Sequence, residues 1–173
     1  MVDRSVQHGP NRLQNYLQIH ETVMGQLLYT GAVEEDGLDF LPGADGRFYF
    51  AGEVLLREKR LKLTVAKALE VVDAAEPANP VVQTISYSYN VSICGHGNVF
   101  RYCAPHDDDA MEHHLQHHRH QYDPFGPEPD RYTVVLITDG NWPTMDEVIR
   151  EADAWYWDHL DRLVNLPRAL GFG

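Results

Sequence analysis

The sequence predicts a single α+β domain, residues 1–173, in which an antiparallel sheet of about four or five strands carries an N-terminal helix and a long C-terminal helix packed on it. Three observations predict this fold class. Of the 173 residues, 43% are hydrophobic, which is enough for one core. Apolar residues alternate with period two in several segments between residues 47 and 103. Near the C-terminus they recur at helical spacing instead.

The N-terminal part, about residues 11–46, is expected to contain one helix and a loop. From Asn11 to Leu28 apolar side chains recur at helical spacing, directly after Pro10, a residue favoured at the start of helices. Residues 30–46 contain four glycines and an acidic run. They are therefore predicted to form a loop or irregular edge structure.

The rest of the domain, about residues 47–166, is expected to hold the sheet and the second helix. A helix across residues 53–72 is an alternative, since Glu, Leu, Arg, Lys and Ala all favour helices. Regular alternation and a hairpin-length connection at residues 73–80 favour strands instead. The predicted strands are residues 47–56, 61–71, 81–93, 99–103 and 131–138.

A long helix is predicted at the C-terminal end of the domain. Thr144 and Glu147 have the spacing of a capping box, which begins helices. Apolar residues then follow at helical spacing from Met145 until the chain approaches Pro167.

The charge balance limits the partners that the protein can have. The chain contains 26 acidic and 14 basic residues, with a net charge of −12, and only three of its basic residues are lysines. Such a surface suits a salt-rich, haloarchaeal cytoplasm. It also counts against generic nucleic-acid binding unless arginines converge locally. Candidates for such a basic groove are Arg47, Arg57, Arg60, Arg101 and Arg119.

We expect a soluble, cytoplasmic protein with no membrane partner. The sequence has no run of about 18 apolar residues, and its first residues lack the pattern of a signal peptide.

Cys94 and Cys103 invite a disulfide or, with His96 and His106, a zinc site. The predicted hairpin separates the two cysteines by roughly 13 Å, beyond the limit of about 7 Å for a disulfide. Reduced thiols are therefore expected.

The segment from Cys103 to Asp123 holds six of the ten histidines. If residues 109–120 are helical, His113/His117 and His114/His118 form two pairs that could chelate zinc, with Asp107 to Asp109 or His106 as further ligands. Alternatively, the segment is catalytic. Arg101 would then bind phosphate, and His106, His118 and His120 would transfer protons, since histidine titrates near neutral pH.

Three motifs, SYSYNV, FRYCAPH and HHRH, together resemble those of the TumE-like toxin family of prokaryotic toxin–antitoxin systems. That family has a Y-x-Y strand, an RYDNAPH-like motif and an HHKH-like motif in this order. The resemblance covers about residues 47–165, and Cys103 stands where the family has an Asp-Asn pair. The matching positions are Tyr87, Tyr89, Arg101, Tyr102, Ala104, Pro105, His106, His117, His118, Arg119 and His120.

The resemblance implies a toxin that pairs with a small antitoxin, often a helix-turn-helix protein, and that cleaves RNA. We therefore expect a metal-independent endoribonuclease, as a monomer or homodimer, with Arg101, His106, His118 and His120 as catalytic residues. Tyr87, Tyr89, Tyr102 and Arg119 would bind the RNA. Two alternatives stay open. One is a metal-binding protein or metal-dependent phosphoesterase that holds zinc at the histidines of residues 106–120, and the other is a non-catalytic module that binds a basic partner.

Overall fold

The computed structural model describes residues 8–106, 112–138 and 140–167. Its main feature is one antiparallel sheet of eight strands. In chain order the elements are β1 (Asn11–Arg12), α1 (Leu13–Tyr29), β2 (Val33–Pro42), β3 (Phe48–Leu56), β4 (Leu61–Asp73), β5 (Val81–Ile93), β6 (Asn98–Cys103), a 3₁₀ helix (Glu112–Leu115), β7 (His118–Tyr122), β8 (Tyr132–Leu136), α2 (Met145–Asp158) and α3 (Leu160–Leu163).

The strands follow one another across the sheet in the order of the sequence, from β2 to β8. The short strand β1 pairs with β5 beside this path. Strands β4 and β5, with 13 residues each, form the centre of the sheet, and a bulge between Ala68 and Leu69 shifts their register. From β2 to β8 every connection is therefore local, as is usual for antiparallel sheets, whereas β1 pairs with a strand distant in sequence.

One face of the sheet carries the hydrophobic core. On β4, Leu61, Leu63 and Val65 are buried beneath the helices, while the residues between them point to the opposite face. Burial of each such side chain stabilises the fold by about 1.5–3 kcal/mol. The helices contribute Val23, Met24 and Leu27 from α1, and Val148, Ile149 and Ala152 from α2.

The other face of the sheet, which we call the open face, is polar. Thr64 on β4, Asn90 on β5 and Arg101 on β6 are neighbours in the ladder and therefore project from the same side. They are only partly buried, and they belong to no hydrophobic cluster. The two faces thus divide the strands into a structural side and a polar side.

The predicted fold class is wrong in its strand number. The sheet has eight strands instead of four or five, partly because residues 33–42, predicted as a loop, form the edge strand β2. The glycine of this segment, Gly37, lies where β2 and β3 pack closely together and not in a turn. A Cβ atom at Gly52 of β3, where φ is 144°, would lie 2.2 Å from the carbonyl oxygen of Gly37 on β2. The other additional strands are β1 and β7.

The predicted long C-terminal helix is also wrong. Helix α2 begins with the predicted capping box at Thr144 and Glu147, but it ends at Asp158. At His159 the backbone leaves the helical region (φ −121°, ψ 14°), and the imidazole Nδ1 lies 2.9 Å from the carbonyl oxygen of Trp155, to which it donates a hydrogen bond. The carbonyl oxygen of Trp155 thus accepts from both the backbone N–H and the side chain of His159, and the four-residue α3 follows.

Other predictions are confirmed. The N-terminal helix forms as α1, and residues 61–71 lie within a strand and not a helix. Cys94 and Cys103 are both free thiols. Within the described ranges, no helix combines the length and the apolar character needed to cross a membrane.

Candidate functional site

Five potential metal ligands converge on the open face where β6 and β7 pair. Because β6 and β7 are antiparallel, Cys103 lies opposite His118 and Arg101 lies opposite His120. The alternation of β7 therefore sends both histidines to the open face. The loop after β6 and the 3₁₀ helix add two more imidazoles. We call this group the histidine cluster: Cys103, His106, His114, His118 and His120.

The ligand atoms of the cluster lie close together. One atom each from Cys103, His106 and His118 lies within 4.8 Å of the other two, and the same holds for His114, His118 and His120. The ring centroids of His106 and His114 are 4.3 Å apart. His118 belongs to both triads, so the two triads adjoin each other.

The cluster is shielded from water. His118 has 0% of its surface exposed and Cys103 has 1%, and His114 and His120 are also buried. Burial raises the pKa of the Cys103 thiol, although nearby Arg101 opposes this shift. Taking several imidazoles out of water is costly unless each has a partner for its ring nitrogens.

His118 is held by a hydrogen bond to the backbone, as histidines that bind metals commonly are. Its Nδ1 lies 2.8 Å from the carbonyl oxygen of Gln116, and because a carbonyl only accepts, Nδ1 must carry the proton. Nε2 is then the atom with a lone pair for a metal. Histidine ligands in proteins commonly donate their second ring N–H to a backbone carbonyl in this way. His118 therefore offers a metal ion its Nε2 atom and not its Nδ1 atom.

The donor set suits a late transition metal. Imidazole nitrogen and thiolate sulfur are the usual ligands of zinc, which binds four of them at about 2.0–2.3 Å. The cluster offers one sulfur and four imidazoles in two overlapping triads, and either triad could supply three of the four ligands of such an ion.

Arg101 adds a cation beside the cluster. Its Nε donates a hydrogen bond to Ser88 Oγ over 3.1 Å, which fixes the guanidinium on the open face. Within the described part of the chain, Arg101 forms no ion pair with a carboxylate, whereas Arg57 and Arg119 pair with Asp153 and Glu151. An arginine without an acidic partner in so acidic a chain is well suited to bind an anionic ligand.

The structure brings together the four residues predicted as catalytic. Arg101, His118 and His120 project from the open face, and His106 contacts the rings of His114 and His118. The sequence predicted these four residues as one site from their residue types in the segment and from the family resemblance. It missed Cys103 as a member of the group, although Cys103 and Arg101 are two residues apart on one strand and must share a face.

The residues predicted to bind RNA lie on the other face. Tyr87 and Tyr89 are buried in the core beneath the helices, and Tyr87 Oη is 3.1 Å from His117 Nδ1. Tyr102 and Arg119 both hydrogen-bond to Glu151 of α2. Of these four residues, Tyr87 also lines the cavity that Arg101, Cys103 and His106 line, although its side chain belongs to the core.

The predicted helical pairs of histidines do not form. Residues 118–120 are extended, so His117 points to Tyr87 and Trp142, while His118 points to the cluster. His114 and His118 do meet, but across a 3₁₀ helix and a strand. The remaining proposed ligands, Asp107 to Asp109 and the side chain of His113, lie outside the described residues.

The predicted basic groove is also absent among the described residues. Arg47 pairs with Asp45, and Arg60 donates to the carbonyl oxygens of Leu163 and Leu166. Arg57 and Arg119 point to acidic residues of α2. Arg101 is thus the one member of the predicted set that faces the cluster.

No profile of a known protein family, no curated protein and no solved structure matches the chain. The chemistry of the histidine cluster is therefore the main guide to function.

Proposed function

We propose that this protein is a metal-dependent phosphoesterase whose metal centre is the histidine cluster. The observation that carries the proposal is the convergence of one cysteine and four histidines, with the tautomer of His118 fixed by the Gln116 carbonyl. A bound divalent ion would act as a Lewis acid and lower the pKa of a bound water to about 7. Arg101 would hold the phosphate group of the substrate.

Burial favours metal binding over proton transfer by these histidines. A general acid or base must reach the proton that it transfers, but His118 is fully buried. Protonation of adjacent imidazoles would also place like charges side by side in a dry site. Metal ligation needs only neutral imidazoles and a thiolate, which a buried site can supply once the ion is present.

The first experiment measures metal content and hydrolysis together. The purified protein, kept in high potassium chloride, should carry stoichiometric zinc or a related metal by mass spectrometry. It should hydrolyse bis(p-nitrophenyl) phosphate, lose this activity with a strong chelator and regain it with added metal. His118→Ala should lower bound metal and activity by at least about 100-fold.

The matched control is His159→Ala, which removes a histidine at the end of α2, away from the cluster. It should keep its metal and its activity. A protein that binds no metal after exposure to zinc, cobalt, nickel and manganese would refute the proposed centre. Metal binding without hydrolysis would refute the phosphoesterase and leave a metal-binding protein.

A second candidate is the metal-independent endoribonuclease toxin that the family resemblance implies. One observation favours it specifically: Arg101 lies opposite His120 in the ladder, so a phosphate-binding cation and an imidazole are neighbours. This candidate includes a cytoplasmic location, an antitoxin partner of the helix-turn-helix type and an RNA substrate. RNA cleavage that survives a chelator but not His120→Ala would select it over the metal-dependent enzyme.

A further inference from the structure

A small cavity lies between α1, the start of α2 and the core face of the sheet. Its volume is about 20 Å³, which is room for about one water molecule. Four of its lining residues are partly exposed, namely Tyr16, Ile19 and His20 of α1 and Met145 of α2. This exposure places the mouth of the cavity between the two helices. We call it the lysine cavity, because Lys67 forms part of its wall.

Lys67 brings an amine into this cavity. It follows Val65 by two residues on β4 and so shares the core face of that strand. Only 6% of its surface is exposed, and its Nζ lies 5.0 Å from the centre of the Tyr16 ring. Burial lowers the pKa of Lys67 to about 7, so about half of the amine is neutral at pH 7. A neutral amine has the lone pair that a nucleophile needs.

Tyr89 supplies a hydrogen-bond donor beside this amine. It lies opposite Val65 in the ladder and is therefore a diagonal neighbour of Lys67, at roughly 7–8 Å between Cα atoms. Tyr89 lines the cavity with 0% of its surface exposed, and its Oη has no hydrogen-bond partner within the described ranges. Burial raises the pKa of Tyr89 well above its ordinary value, so the hydroxyl keeps its proton. A ligand oxygen in the cavity would accept this proton in a hydrogen bond and satisfy the buried group.

The rest of the wall selects the charge of the ligand. Asp146 is 1% exposed, and Thr144 Oγ1 donates a hydrogen bond to its Oδ1 over 2.6 Å. A buried carboxylate in the wall disfavours a second anion by Coulomb repulsion. Most of the remaining wall is apolar, formed by Ile19, Val23, Phe50, Val65 and Met145. The cavity thus suits a small neutral molecule that presents an oxygen to Tyr89 and an electrophilic carbon to Lys67.

We propose that the lysine cavity binds aldehydes of one or two carbons covalently, as an imine on Lys67, with Tyr89 as the hydrogen-bond donor to the carbonyl oxygen. An aldehyde is neutral, and its carbonyl group combines the required acceptor with the required electrophile. Carbon dioxide would instead give an anionic carbamate, which Asp146 opposes. This site requires neither the histidine cluster nor a bound metal, so it goes beyond the proposed phosphoesterase function.

The reaction needs no reactant besides the amine and the aldehyde. The Nζ lone pair forms a bond to the carbonyl carbon, and the π electron pair of the C=O bond moves to the oxygen. One amine proton passes to that oxygen, which gives a carbinolamine. The second amine proton leaves with the hydroxyl group as water. The products are therefore one imine and one water molecule.

The chain contains its own comparison, because it has only three lysines. Lys59 and Lys62 pair with Glu35 and Glu53 and are more exposed than Lys67. A lysine in water, with a pKa of about 10.4, is almost wholly protonated at pH 7 and reacts slowly with a carbonyl group. Lys67 should therefore react faster than the two exposed lysines, although it is the least accessible of the three.

The test treats the folded protein with acetaldehyde at pH 7 in potassium chloride and reduces each imine to a stable N-ethyl amine with cyanoborohydride. Peptide mass spectrometry then measures labelling at each lysine and, separately, at the N-terminal amine. Lys67 should be labelled at least about tenfold faster than Lys59 and Lys62. Benzaldehyde, whose ring exceeds the cavity, should label Lys67 more slowly than it labels the other two lysines.

Tyr89→Phe keeps the ring and removes only the hydroxyl group. It should slow the labelling of Lys67 by acetaldehyde at least about tenfold, because a positioned proton donor is lost, and leave Lys59 and Lys62 unchanged. A thermal melt by circular dichroism checks that the variant is folded. The matched control is Tyr29→Phe at the end of α1, where Tyr29 is 93% exposed, and it should be labelled as the wild type is.

Each contrary result has a distinct meaning. Labelling of Lys67 by acetaldehyde that is no faster than that of Lys59 and Lys62 would overturn the site. Faster labelling of Lys67 by benzaldehyde would overturn the size limit, and unchanged labelling in Tyr89→Phe would overturn the role of the hydroxyl group. Because labelling needs no metal and no hydrolysis, these failures are distinguishable from failure of the proposed phosphoesterase.

Discussion

Lys67 is a basic residue enclosed in the core beneath α1. Only 6% of its surface is exposed, and its Nζ lies 5.0 Å from the centre of the Tyr16 ring. Burial lowers the pKa of Lys67 to about 7. The unfolded chain, in which a lysine has a pKa of about 10.4, therefore binds more protons than the folded chain between pH 7 and that value.

This difference predicts that the free energy of unfolding rises with pH above about pH 7, by about 1.4 kcal/mol per pH unit at most. Lys67→Met removes the titrating group but keeps an unbranched side chain, so the variant should show a flatter dependence. Urea unfolding of both proteins at pH 7 to pH 9.5, at constant potassium chloride, measures this. Equal slopes in the two proteins would show that Lys67 is already charged in the fold.

Cys103 is the only sulfur in the histidine cluster. Because thiolate is a softer and stronger ligand for zinc than a hydroxyl, Cys103→Ser should weaken zinc binding at least about tenfold. Competition with a coloured chelator measures the affinity. Cys94→Ser, at the turn between β5 and β6, is the matched control and should bind zinc normally. Equal affinities in the three proteins would restrict the centre to its histidines.

At the scale of elements, the start of α2 is held by a buried cap. The Thr144 backbone N–H donates to Glu147 Oε2 over 2.8 Å, and Thr144 Oγ1 donates to Asp146 Oδ1 over 2.6 Å. Thr144→Ala removes the hydroxyl, so Asp146 Oδ1 and the backbone N–H of Glu147 lose this partner, while the backbone bond to Glu147 Oε2 remains. We expect a loss of about 1–2 kcal/mol in the free energy of unfolding, measured by urea titration.

The matched control is Thr22→Ala in α1. Thr22 is exposed, and its hydroxyl donates only to the carbonyl oxygen of Gln18 one turn earlier. Its replacement should change stability by less than about 0.5 kcal/mol. A similar loss in both variants would mean that the capping box contributes nothing beyond an ordinary threonine.

The elements differ in how far the sequence could predict them. Residues 61–71 and the start of α2 were predictable, because period-two alternation and the capping box are local signals. Strand β2 was not, since its Gly37 and the Gly52 of β3 are needed where the two strands approach closely, and this contact is visible only in three dimensions. Strand β7 was not predicted from the sequence, because its residues on the open face include His118 and His120, and histidines give no alternation of apolar and polar residues.

The candidate site shows the same limit. Its four catalytic candidates, Arg101, His106, His118 and His120, were predicted from motifs, but the role of Cys103 depends on the register of β6 against β7, which composition does not encode. The sequence also left open which face of the sheet the two tyrosines occupy. Tyr87 and Tyr89 share a face, as the alternation predicts, but the sequence could not tell which face the helices cover.

At the scale of the whole molecule, the proposed metal centre and the main hydrophobic core lie on opposite faces of one sheet. The helices bury the apolar face, and the polar face holds the cluster and Arg101. Changes on the open face should therefore affect binding more than folding. The same division explains why an acidic protein can present one unpaired arginine, since most of its described basic residues pair elsewhere.

The net charge of −12 makes a last prediction for the whole molecule. Repulsion among acidic residues favours the expanded chain, and salt screens this repulsion, with a Debye length of about 10 Å at 0.1 M and about 3 Å at 1 M. The melting temperature should therefore rise as potassium chloride increases over this range. Sucrose at matched osmolality separates screening from exclusion of solute from the protein surface, and it should give a smaller rise. A melting temperature that stays constant or falls with potassium chloride would show that the acidic surface carries no net repulsion in the fold, and it would remove the basis for assigning the protein to a salt-rich cytoplasm.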